Sequence, residues 1–213
     1  MSENSRLLPA AAVKGIASGL LLMAFVTSLW TGIAYSGLFT GNYWYLLAIF
    51  PAFIALFVIN SLKLFRVAKF FPELMTEEDK AREKQSGKWF GIIFSAEGLG
   101  IFIAVNVVSN IGHPELQVPA LALVVGLHFF PLARVFRRTV DYYLASYSTL
   151  VAIAAIVLSL NKTFTQNQTL AFTGVGLALA TSAYGFYMLT GARKALAQLK
   201  AYSPNATEQT VNV

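Results

Sequence analysis

Two ionisable side chains stand inside stretches that otherwise belong in oil. Glu97 lies within Phe94-Ser95-Ala96-Glu97-Gly98-Leu99-Gly100, and His128 within Val125-Gly126-Leu127-His128-Phe129-Phe130-Pro131. A charged side chain at the centre of a bilayer costs about 2.5–3.5 kcal/mol on insertion scales. Such residues therefore pair or neutralise, and they mark proton and solute paths. A carboxyl and an imidazole are also suited to passing a proton near neutral pH. Helix arithmetic sets the two level. At ~1.5 Å per residue Glu97 lies about 13.5 Å beyond Lys88, and His128 lies about 9–15 Å before the basic positions 134–138. Two spans joined by a short loop are usually antiparallel neighbours, so a Glu97–His128 contact near mid-membrane is expected. Pro131 cannot donate to the carbonyl of Leu127, which frees an acceptor beside His128 and offers a point of bending. Arg134, nearer the surface, either meets an anion or extends to the headgroups. Glu97, His128, Pro131 and Arg134 together form the candidate intramembrane polar site. The plainer reading is that Glu97 and His128 simply tie two helices together, with a hydrogen bond worth below about 1 kcal/mol.

The elements that position these residues are six apolar runs, at 11–35, 43–64, 89–109, 118–136, 142–160 and 169–190. Each reaches the ~20 residues needed to cross a ~30 Å hydrocarbon layer as a helix. The composition agrees: 56% of the 213 residues are hydrophobic and 12% are charged, against roughly 25% charged in ordinary globular domains. The expected fold is an all-α six-helix transmembrane bundle, one unit over residues 1–202. The sixteen Lys and Arg residues are sorted by the runs: all but Lys162 fall on one side. Insertion retains basic residues on the cytoplasmic side, so both termini are expected in the cytoplasm. Trp30, Tyr35, Tyr43, Trp44 and Tyr45 cluster at the opposite end of the first two runs, and Trp89 at the inner end of the third, as interfacial anchors do.

A cytoplasmic insert at 70–87 carries the dense charge. Thr76-Glu77-Glu78-Asp79 reads as a helix start with Thr76 as its cap and acids in the first turn. Glu78 and Arg82 are spaced for an i,i+4 pair, and Ser86-Gly87 is expected to close the helix. The insert is read as a solvated connection or as a docking helix. The tail 203–213 has no apolar face and is expected to be disordered. The first run is too long for a signal peptide and reads as an uncleaved span. Asn-x-Thr triplets at Asn161, Asn167 and Asn205 carry little weight, and no internal repeat stands out. Gly15, Gly19, Gly174, Gly176 and Gly185 read as packing notches, and Asn106 as a packing hydrogen bond.

Several chemistries are excluded. Cys is absent, so there is no disulfide, thiolate nucleophile or Cys-held metal. His113 belongs to an outer loop and cannot join His128 as a haem ligand at one depth. Ser95 stands in no Gly-x-Ser-x-Gly turn, and Gly98-Leu99-Gly100 lies inside a span rather than in a phosphate loop. The chain is thus expected to be no enzyme and to hold no cofactor or metal. The net charge of +6 lies beside the spans, which suits anionic lipid heads rather than nucleic acid.

The stretch Val124-Val125-Gly126-Leu127-His128-Phe129-Phe130-Pro131-Leu132-Ala133, with Trp89 to Glu97 ahead of it, resembles an uncharacterised family of bacterial six-span membrane proteins, over spans three to five. The resemblance implies a small inner-membrane bundle whose motif includes Glu97, His128 and Pro131; it implies no substrate or cofactor. Two functions follow from the residues. One is a small-solute or proton-linked permease of a prokaryotic cytoplasmic membrane, with the lipid bilayer and a small solute or proton as partners. The other is a non-catalytic scaffold or sensor subunit in which the pair is structural.

Overall fold

No water serves the backbone in a bilayer core, so an apolar run must close its hydrogen bonds within itself, as a helix does. The computed structural model describes residues 8–39, 42–73 and 76–202 and is all-α. Among the described residues, six helices are long and apolar enough to cross a membrane. They are α1 Ala10–Leu38, α2 Ile49–Val67, α3 Glu77–Asn110, α4 Gln117–Phe136, α5 Thr139–Leu160 and α6 Gln166–Tyr202. The protein is a multi-pass membrane protein. Arg6, the tail 203–213 and the Asn205 triplet lie outside the described residues, as do the side chains of Glu78 and Arg82.

The helices form a folded ribbon: α2 packs on α1, α1 on α6, α6 on α5, α5 on α4, and α4 on α3. The α1–α6 seam is the most extensive, and α6 also touches α2 and α4. Accordingly 61% of the apolar window of α6 is buried, against 6% of that of α3. The centre of the bundle is therefore α6, and α3 rides on its edge against α4.

Small residues explain the closeness of the central seam. A side-chain carbon on Gly174 would strike the backbone of Ala34 and the carbonyl of Trp30, and one on Gly37 would strike the backbone of Asn167 and Ala171. Such backbone-to-backbone approach is the usual device where lipid leaves no hydrophobic drive between helices. Trp30 is sealed in this seam at 3% exposure, so it is a packing residue rather than an interfacial anchor. Tyr35, Tyr43, Trp44, Tyr45 and Trp89 are exposed, as anchors are.

Two helices run past their expected ends. α3 continues through Ser86-Gly87 without a break, so that dipeptide does not close a separate insert helix. Strong helix formers surround Gly87, and a lone glycine there costs only about 1 kcal/mol. Before it, the carbonyl of Thr76 accepts the Lys80 N–H, and Lys80 Nζ reaches Glu77 Oε1 at 2.7 Å. α6 continues beyond Thr190 to Tyr202 because Ala192, Ala195 and Leu199 remain buried on one helical stripe. That stripe packs along the start of α1, where the Leu8 N–H donates to Gln198 Oε1 at 3.4 Å.

The α4–α5 connection is only Arg137 and Arg138. Arg137 ends α4 in the left-handed region, at φ 54° and ψ 43°, where its N–H caps the carbonyl of Ala133. This tight reversal lays α5 directly along α4. Gly126 lies against Thr149 there, closely enough that a side-chain carbon would meet the Thr149 backbone.

Candidate functional site

Glu97 reaches the site from the middle of α3 and His128 from the middle of α4. Their meeting needs the two helices close, and Gly100, one turn beyond Glu97, provides the gap: a carbon added there would touch Val124. His128 Nδ1 lies 3.2 Å from Glu97 Oε1, and the two side chains are 9% and 10% exposed. The same Nδ1 lies within hydrogen-bond distance of the Val125 carbonyl oxygen. A carbonyl can only accept, so the partners assign the proton to Nδ1, which donates to Val125, and Glu97 stands beside it at ion-pair distance. The lone pair is left on Nε2. In this arrangement His128 gains a further proton at Nε2, and Glu97 supplies the neighbouring negative charge that stabilises the imidazolium. Direct transfer between Glu97 and Nδ1 would first require the Val125 hydrogen bond to break.

Aromatic rings wall the pair. The Phe129 ring lies 4.2 Å from the imidazole, and that of Phe94 lies 6.3 Å away, edge to face. Phe129 in turn packs edge-on to Tyr184 of α6 at 6.3 Å. These rings exclude water and raise the value of any charge interaction inside.

Pro131 and Arg134 are not brought into the pair. Both are exposed, on the outward stripe of α4 with Leu127 and Phe130. α4 runs unbroken through Pro131. Asn106 is exposed and donates to the carbonyl of Phe102 in its own helix at 2.7 Å. His113 pairs instead with Glu115 at 2.9 Å in the turn before α4. Among the described residues no group of three or more His, Cys, Asp and Glu could hold a metal ion.

No family model, curated protein or solved structure matches the chain. The bacterial family that residues 124–133 resemble is not identified by those comparisons, and the geometry alone carries the functional reading.

One group escaped the sequence reading. Asp141, in the first turn of α5, is 1% exposed, and its carboxylate faces the Tyr184 hydroxyl and the Arg138 charge. Beside it, Arg138 Nη1 donates to the Tyr184 hydroxyl at 3.0 Å. The apolar run begins at Tyr142, so Asp141 reads as an ordinary loop acid just outside it. The signal that could have found it is helical spacing, since Asp141, Ala145, Ser148 and Ala152 recur on one face with the buried stripe of α5.

Proposed function

We propose that the protein is a proton-linked permease for a small solute in a prokaryotic cytoplasmic membrane, with both termini in the cytoplasm. One observation carries the reading: a carboxyl and an imidazole meet at 3.2 Å, nearly buried, between two apolar helices. His128 is the proton-loading group, taking its second proton at Nε2, and Glu97 holds the compensating charge. The helix that carries Glu97 is the least buried of the six windows, so α3 is the element that can shift against α4 as charge in the pair changes. The sorting of Lys and Arg to one end supports the orientation. A bacterial source rests on the resemblance around His128. The chemistry is binding and passage, without a catalytic step.

The test is flux. Purified protein in vesicles, under an imposed pH gradient, should dissipate that gradient faster when a panel of sugars, amino acids and organic acids is offered. Glu97→Gln and His128→Asn should each abolish the effect while the protein remains folded. Wild-type vesicles that behave like empty ones across the panel would remove the permease reading.

A second reading has its own support. The edge position of α3 makes the Glu97–His128 contact a means of holding that helix on α4, as in a scaffold or sensor subunit with α3 as its docking element. In that case both substitutions lower the melting temperature, and no flux exists to be lost.

A further inference from the structure

Two lines of aromatic rings run from the Glu97–His128 pair to the basic end of the bundle and meet again on one side chain. The first follows α3 and α4. Phe94 lies 6.3 Å from the imidazole, Phe90 lies 5.1 Å from Phe94, and Phe136, at the end of α4, lies 6.3 Å from Phe90. The second crosses to α6, with Phe129 4.2 Å from the imidazole and Tyr184 6.3 Å from Phe129. Arg138 closes the circuit. Its guanidinium rests over the Phe136 ring at 4.9 Å, and its Nη1 donates to the Tyr184 hydroxyl at 3.0 Å. That hydroxyl, having accepted from Arg138, keeps its own hydrogen for the Asp141 carboxylate that faces it.

The two lines differ in how firmly they are held. Phe129, Tyr184 and Asp141 are buried, so the line through α6 is fixed in the core. Phe90 and Phe94 are exposed, on the helix whose apolar window is the least buried of the six. A shift of α3 against α4 therefore parts Phe90 from Phe136, while Arg138 keeps Phe136 and Tyr184 in place as the surface on which the rings of α3 close again. A guanidinium suits this task because it stacks on a ring and donates in its plane at once. We propose that Arg138 and Tyr184 are positioning residues for the Glu97–His128 pair, latching an aromatic gate that keeps water at the basic end away from His128. The inference rests on the permease reading, in which an aqueous proton must reach His128, and it names the side on which that proton is held back.

Deuterium exchange at the imidazole C2 position tests it, read by peptide mass on the full chain in lipid nanodiscs at one fixed pH. The protein has two histidines, so His113, in the turn before α4, is the internal reference. Tyr184→Phe keeps the ring and removes the hydroxyl; it should speed exchange at His128 severalfold and leave His113 unchanged. Arg138→Gln should do the same. Thr181→Val also removes a buried hydroxyl from α6, but from the side that faces α1, and should leave both histidines at wild-type rates. Wild-type exchange at His128 in both latch variants overturns the proposal. So does an equal rise in Thr181→Val, because α6 would then have loosened as a whole. Failure of the permease reading shows differently, as absent flux with the exchange difference intact.

Discussion

The hydroxyl of Thr27 meets that of Thr181 at 2.8 Å, with both side chains sealed in the seam between α1 and α6. This contact belongs to one antiparallel register. It runs from Leu8 beside Gln198, through Gly19 beside Met188, to Gly37 beside Ala171. At ~1.5 Å per residue the seam is about 43 Å long, enough to cross the hydrocarbon layer and both headgroup zones. Thr181 also donates back to the carbonyl of Leu177 at 3.0 Å, so Thr27 is the hydroxyl that donates across.

Thr27→Val should remove only the crossing bond. Measured interhelical hydrogen bonds average about 0.6 kcal/mol and reach about 1.7, so the loss should fall in that range. Thr27→Val with Thr181→Val should cost less than the sum of the single changes in a double-mutant cycle of detergent unfolding. Strict additivity would mean that the two hydroxyls do not interact.

Glycine positions along the seam separate backbone contact from open space. Gly174→Leu should destabilise by several kcal/mol, on the order of 3 or more, because the side chain would displace α1 from α6. Gly15→Ala meets nothing within 4 Å and should be neutral or stabilise by up to about 1 kcal/mol. Melting temperatures in one detergent compare them. Equal effects at the two sites would contradict the close approach at Gly174.

Arg137 adopts a left-handed conformation that costs a non-glycine residue about 1 kcal/mol. Arg137→Gly should therefore stabilise the α4–α5 reversal by up to about that amount, and Arg137→Val should weaken it. A lower melting temperature for the glycine variant would show that the arginine side chain contributes more than the backbone strain costs.

Orientation is checked by reporters. A fluorescent protein fused after residue 213 should glow, since it folds in the cytoplasm, and a periplasm-active phosphatase inserted beside Lys162 should be active. The reverse pattern would invert the bundle and move Asp141 to the outer face.

The existence of six spans, their order and the sorting of charge between the two ends were legible in the residues, because hydrophobic length and loop charge act locally along the chain. Glu97 and His128 could be set at one depth for the same reason, since rise per residue is fixed by helix geometry. Their 3.2 Å approach is a tertiary fact: it needs the rotation of each helix about its axis, which the gap at Gly100 allows and the packing of α3 on α4 sets. Rotation also turned Pro131 and Arg134 outward, away from the pair. Helix ends were less legible. Ser86-Gly87 suggested a stop and the sixth apolar run ended at 190, but neighbouring helix formers carry α3 through the first. The burial of Ala192 and Ala195 on α1 carries α6 through the second. Asp141 lies at the edge of its apolar run, where sequence alone reads a solvated acid. Only the two-residue reversal at Arg137 and Arg138, which folds α5 onto α4 and against α6, takes water away from that carboxylate.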